Sequence, residues 1–151
     1  MGIRADRAKE MFLQGYNCSQ AVVGAFADLF GFDNVTAMKF AEGLGGGMGR
    51  MRLTCGAVAA MATLASMKMS SGQPGDLKLR GEIYAVIQKM AGEFKDNNGS
   101  VICAELLGAA LPKDNSSTPE ERTPDYYRRR PCADKIYQCA LLVEKYLVVN
   151  E

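Results

Sequence analysis

The spacing of the apolar residues constrains this chain more than any other feature. They return at steps of one, three and four, and no alternating run long enough to make a strand occurs. Ala21, Val22, Ala25, Phe26, Leu29 and Phe30 form one such series, which reads as a buried helical face. Ala5, Ala8, Met11 and Phe12 mark a shorter helix before it, stopped at Gly15. Val35 to Glu42 reads as a third helix, ended by a glycine run. Cys55 to Met69 reads as a fourth, rich in the good helix formers Ala and Met. After a break at Ser70 to Gly75, Ile83, Ile87, Met90, Ala91 and Phe94 lay a stripe along a longer helix that "KDNNGS" ends. Val101 to Leu107 is short and apolar. Cys132, Ile136, Cys139, Ala140, Val143 and Leu147 line a C-terminal helix.

The expectation is therefore a single all-α domain over residues 1–151, a bundle of about five to seven helices. A chain of 151 residues buries roughly 68–70% of its unfolded surface and needs no disulfide staples. One long irregular stretch, at about 110–131, interrupts the periodicity with Pro112, Pro119 and Pro124 ahead of Pro131. It reads as a surface crossover that returns the last helix to the bundle.

Composition then removes whole classes of function. There is no histidine, so no Ser-His or Cys-His catalytic pair and no histidine-held zinc, copper or haem can be built. Soft-metal chemistry would have to use sulfur. The net charge of +1 gives no whole-molecule attraction to nucleic acid or to an anionic membrane. The amphipathic N-terminus lacks an apolar leader core and no run reaches the length of a membrane span, so a cytoplasmic location without membrane insertion is expected. There, structural disulfides are rare. Association with a second copy is left open by the sequence.

Five cysteines remain: Cys18, Cys55, Cys103, Cys132 and Cys139. None forms a C-x-x-C pair, so neither a thioredoxin-type motif nor a zinc ribbon is present. Their places in the helices say more. Asn17, with Gln20 as a capping-box partner, makes Cys18 the first residue of its helix. Thr54 as a cap puts Cys55 first in the next. Ser100 as a cap leaves Cys103 in a first turn, and Pro131 at the first helical position leaves Cys132 second. Free N–H groups and the positive end of the helix dipole gather at such ends and favour thiolate over thiol. The pKa of Cys55 is accordingly expected below the free value of about 8.5. Gly56 beside it lets backbone, and a bound group, approach the sulfur closely. Cys139, mid-helix among Ile136, Ala140 and Val143, is assigned to the core.

Four stretches and a later cysteine occur in order: "GYNCSQAV", "GLGGGMG", "TCGAVAA", "GSVICAELLG" and Cys132. Together they resemble the C_GCAxxG_C_C family of redox-active proteins, over about Met11 to Tyr146. Ala60 stands where the family motif has glycine, one turn after Gly56 and facing a neighbouring helix. The resemblance implies a redox role for Cys18, Cys55, Cys103 and Cys132 and leaves Cys139 out. It also implies an iron–sulfur cluster held by those four cysteines, and genes near those of oxidoreductases and transporters, hence a redox partner protein.

Several readings of these residues stand side by side. The four cysteines transfer electrons through a cluster, or cycle as dithiol and disulfide with a partner. Alternatively they hold a structural zinc ion, or only pack inside an interaction and assembly module. The glycine run lacks the G-K-[ST] ending of a phosphate loop and reads as a flexible connection towards Cys55. The methionines between Met48 and Met69 read as core filler rather than thioether copper ligands. "YYRRRP", at Tyr126 to Pro131, reads as a docking surface or a solvated loop.

Overall fold

The fold is seen in a computed structural model, which describes residues 2–114 and 116–148. Among these it is all-α. Helices α1 (Ile3–Leu13), α2 (Cys18–Phe26), α3 (Asn34–Glu42) and α4 (Gly56–Met69) are followed by α5 (Leu77–Asn98), α6 (Cys103–Leu107), α7 (Pro124–Arg129) and α8 (Cys132–Val143). A π turn over Glu144–Val148 extends α8. Helix α1 packs on α8 and α2, while α4 packs between α2 and α5 and also meets α8. Helix α3 lies on the flank of α2. No described helix is long and apolar enough to cross a membrane.

Most of the stripes read from the sequence are buried faces. Leu29 is exposed, however, and Phe30, Ile87 and Ala91 are only half-buried, because the second stripe ends in a short 3-10 turn and the edge of the α5 stripe lies towards solvent. Ala5, Ala8, Met11 and Phe12 of α1 are all buried, as are Ile83, Met90 and Phe94 of α5. The centre is filled by Phe26, Phe94, Met61, Leu64, Met90 and Ile136. Full burial of each such side chain contributes roughly 1.5–3 kcal/mol. Between them lie Ala21, Ala25, Ala57, Ala60 and Ala65, all without exposed surface, whose small side chains let the helices approach. Ala60 thus faces into the core. Met61 is core filler as expected, and Met67 and Met69 pack against the core. Met48 and Met51 are exposed.

Helix α7 raises the number of helices above the five to seven expected. It sits inside the stretch read as irregular, where Thr123 accepts a hydrogen bond from the Tyr126 N–H and Pro124 occupies the first turn. Cap and proline together outweigh the breaker-rich composition around them. Before α7, residues 111–114 and 116–123 are irregular. The glycine run also differs from the flexible connection expected. It is a compact turn in which Gly49 N donates to Gly43 O at 2.9 Å, Arg52 N to Gly46 O at 3.0 Å and Leu53 N to Gly47 O at 3.0 Å.

A cysteine-lined cavity as the candidate functional site

Four helix starts meet at one end of the bundle. Cys18 opens α2 under a complete capping box, with Asn17 Oδ1 accepting from Gln20 N and Gln20 Oε1 from Asn17 N. Asn17 Nδ2 also donates to Glu42 O at 2.8 Å, and the buried Ser19 hydroxyl donates to Ala41 O. These bonds fasten the start of α2 to the end of α3, and so to the glycine turn.

The starts of α4 and α6 are joined by an isolated antiparallel bridge between Thr54 and Ile102. Cys55 N donates to Val101 O at 2.8 Å and Cys103 N to Leu53 O at 2.6 Å. Because side chains alternate along extended backbone, Cys55 and Cys103 leave this bridge on the same side. Both caps assigned to these helices shift in consequence. Thr54 is committed to the bridge and Cys55 itself is the N-cap of α4, with no side-chain cap. Ile102 precedes α6, while the Ser100 hydroxyl accepts from Ile102 N at 2.9 Å and bonds Glu105 in the first turn. Pro131 likewise sits just outside α8, making Cys132 its first residue.

Cys18, Cys55, Cys103 and Cys132 line one cavity of about 310 Å³. Cys139 does not line it. It is fully buried in the core, as its periodicity indicated. Glycine makes the convergence possible. A Cβ on Gly56 would collide with Cys18 Sγ and stand 2.8 Å from Leu44 O. The close approach foreseen at Gly56 is made by a sulfur of the chain itself. A Cβ on Gly47, whose φ is +73°, would stand 2.6 Å from Leu53 N and 2.7 Å from Cys103 Cβ. Three other residues of this turn, Met48, Arg50 and Arg52, hold φ of 68°, 63° and 61° without being glycine. Left-handed backbone at such residues costs energy, and the turn's hydrogen bonds hold it.

The thiols are more basic than their helix-end positions led us to expect. Burial pushes the Cys55 thiol up to about 12, and the nearby Cys18 adds to this. The Ala57 and Val58 N–H groups at the helix start oppose the rise, but burial is the larger effect. The expected depression of the Cys55 pKa is overturned for that reason: removing a thiolate from water costs more than the helix end returns. Cys18 is raised by burial, against a hydrogen bond from the Gly46 backbone. Cys132 is raised to about 11 by burial and by Cys18, against Arg130. Cys103 differs in its contact, since Arg52 Nη1 donates to its sulfur at 3.7 Å. That is the electropositive setting that reactive cysteines occupy.

The 111–123 connection and α7 form the outer wall. Ser117, Pro119, Glu120 and Arg122 line the cavity, so the stretch is more than a crossover. Arg122 lies over the Phe12 ring at 4.7 Å and the Tyr126 ring at 4.9 Å, and donates to Phe12 O and Tyr16 O. Arg130 stacks on Tyr126 at 4.5 Å and donates to Glu120 at 2.6 Å. Burial opposes it, yet Arg130 and Arg129 hold the Glu120 carboxyl below its ordinary value. Tyr126 is buried and Arg130 nearly so. The docking surface or solvated loop read in "YYRRRP" is thus corrected at these two residues, which turn inward.

An iron–sulfur cluster or a zinc ion would require several thiolates facing one point. Among the described residues, no three cysteine, aspartate or glutamate side chains are so arranged. The thiols as placed do not fit either group.

A family model described as "Putative redox-active protein (C_GCAxxG_C_C)" matches residues 16–146. Among curated proteins, ribulokinase 1 of Staphylococcus saprophyticus is 31% identical over 87 residues, which is 54% of this chain and 16% of that protein. The chain thus corresponds to a small part of that relative's length. No solved structure matches.

Proposed function

The chain belongs to the C_GCAxxG_C_C family of redox-active proteins, and from that premise we propose that it works by thiol–disulfide exchange at the cavity. The observation that carries this reading is that four of the five cysteines line one cavity while the fifth is enclosed in the core. A module whose cysteines only pack gives no reason for that separation. The ribulokinase match covers too little of that enzyme to bring its activity here.

Cys103 is the attacking thiol in this proposal because Arg52 contacts its sulfur. Cys18 is the resolving thiol, since its sulfur lies within electrostatic reach of Cys55, Cys103 and Cys132 alike. The Cys103 thiolate attacks a disulfide, one sulfur of which leaves as thiolate, and a mixed disulfide forms. Cys18 then loses its proton to solvent and attacks Cys103 Sγ, closing an internal disulfide and releasing the second thiol. Two electrons pass from the chain to the disulfide, and a dithiol reductant returns them. The raised pKa values of Cys18, Cys55 and Cys132 keep these three thiols protonated in the reduced state, which leaves Cys103, with its Arg52 contact, to start the exchange.

The test is a redox titration of the reduced chain against dithiothreitol, with disulfide mapping. A two-electron transition that Cys18→Ser or Cys103→Ser abolishes and Cys139→Ser keeps is expected. A brown chain carrying iron and sulfide after anaerobic purification would replace exchange with cluster chemistry.

A further inference from the structure

The cavity is charged out of proportion to the chain around it. The whole protein carries a net charge of +1. Five cationic side chains line this one cavity, Arg50, Arg52, Arg122, Arg130 and Lys135, against two acidic ones, Glu42 and Glu120. Glu120 is already taken by Arg130 and Arg129. Among the described residues no carboxylate stands in ion-pair contact with Arg50, Arg52 or Arg122. Arg130 is the most withdrawn of the five, with 6% of its side chain exposed, and its Nε has no hydrogen-bond partner.

Arg50, Arg52 and Arg122 stand half-buried in the lining, and the excess of cationic over acidic side chains makes the cavity complementary to an anion. Planar guanidinium groups match carboxylates with paired hydrogen bonds. Two of these are also held still before any ligand arrives. Arg122 is fixed by its rings and carbonyls, and Arg50 donates to Ser116 O at 2.5 Å. Size points the same way. The cavity, about 310 Å³, is in the small-molecule range, and Cys55 and Cys103 are each only 9% exposed. A disulfide on a folded protein's surface would have to be carried inside to reach them.

We propose that the cavity takes a small organic disulfide bearing carboxylates, which the unpaired guanidinium groups hold while its S–S bond is presented to Cys103. This rests on the exchange reading above and adds the class of oxidant. In the balanced reaction, two cysteine thiols and one such disulfide yield one protein disulfide and two carboxylate-bearing thiols.

Three disulfides of similar size separate the terms: 3,3′-dithiodipropionate, a dianion; bis(2-hydroxyethyl) disulfide, neutral; and cystamine, a dication. The fully reduced chain is mixed with each at low ionic strength and thiol loss is followed. Every rate is divided by the rate of the same reagent with free 2-mercaptoethanol, which removes differences between the leaving thiols. The dianion should exceed the neutral reagent by about tenfold after this correction, one well-made charge contact being worth about that factor. The dication should be slowest, and about 0.5 M salt should close the gaps. Arg50→Gln should lower the corrected preference for the dianion. Iodoacetate against iodoacetamide on the unaltered chain gives the same comparison without a disulfide or a variant.

Equal corrected rates for the three reagents would overturn the anion site and leave exchange standing. A preference for the dianion that neither salt nor Arg50→Gln reduces would overturn its assignment to this cavity. Oxidation by none of them, in a chain whose thiols iodoacetamide still reaches, would overturn both.

Discussion

The two cysteines of helix α8 differ in what holds them. At Cys139 the surroundings are Ile136, Ala140, Val143 and the fully buried side chains of the bundle. Seven residues earlier, at Cys132, the chain meets a cavity walled by glycine backbone, guanidinium groups and the 111–123 connection. The core end is maintained by area and volume, which tolerate small changes. The cavity end is maintained by particular bonds, close backbone approaches and three strained residues, which do not. One helix joins a region built for stability to one built for contact with something else.

Alkali should expose the largest difference from an ordinary helical bundle. Cys18, Cys55, Cys132 and Cys139 all have thiol pKa values raised by burial in the folded chain, two of them to about 12 and about 11. Above the free-thiol value of about 8.5, the unfolded chain has released these protons and the folded chain still holds them. Stability is therefore complete below about pH 8 and drains away as pH climbs towards the folded values, at up to about 1.4 kcal/mol per pH unit for each thiol. Urea denaturation from pH 8 to 10.5 should show a steep fall under reducing conditions. A flat profile would mean that the thiols are not buried as described.

The glycines sharpen the contrast next. Gly56→Ala drives a methyl into Cys18 Sγ and the Leu44 carbonyl and should cost about 2–3 kcal/mol. Gly92→Ala, in α5 with nothing within 4 Å of the new methyl, should gain about 0.5–1 kcal/mol. Equal effects in thermal denaturation would erase the distinction between the two regions.

Cys139→Ala should have the smallest effect, a loss of about 1 kcal/mol from a slightly emptied core. The stoichiometry of thiol oxidation at the cavity should stay as in the parent chain. Loss of oxidation in that variant would place the reactive group in the wrong region.

The same contrast explains what was legible beforehand. Helices α1, α2, α5 and α8 follow from periodicity, because burial of one face is a local pattern with a global result. All four cavity cysteines were recognised at helix starts, and the Asn17–Gln20 box formed as read. The Thr54–Ile102 bridge was invisible, since nothing local to "LTCG" indicates a partner 48 positions away. It displaced Thr54 from the cap. The direction of the Cys55 pKa failed for a related reason. Helix-end N–H groups are encoded in neighbouring residues, whereas the depth of water removed depends on the turn, the bridge and α8 arriving together. Helix α7 did have a signal, a threonine followed by proline, hidden by the prolines and charges around it.

The outer wall of the cavity has one more consequence. Besides the inward Arg130–Glu120 pair, it is tied to the bundle by contacts of half-exposed guanidinium groups, Arg50 to Ser116 and Arg122 to Phe12 and Tyr16. Dissolved ions weaken such ties while leaving the apolar interior untouched, or firmer. Brine would thus unlatch the door without softening the house: thiols become easier to reach as ionic strength rises, although the melting temperature hardly moves. The access rate of the site and the durability of the fold are set by different forces, and a change of medium alters one without the other.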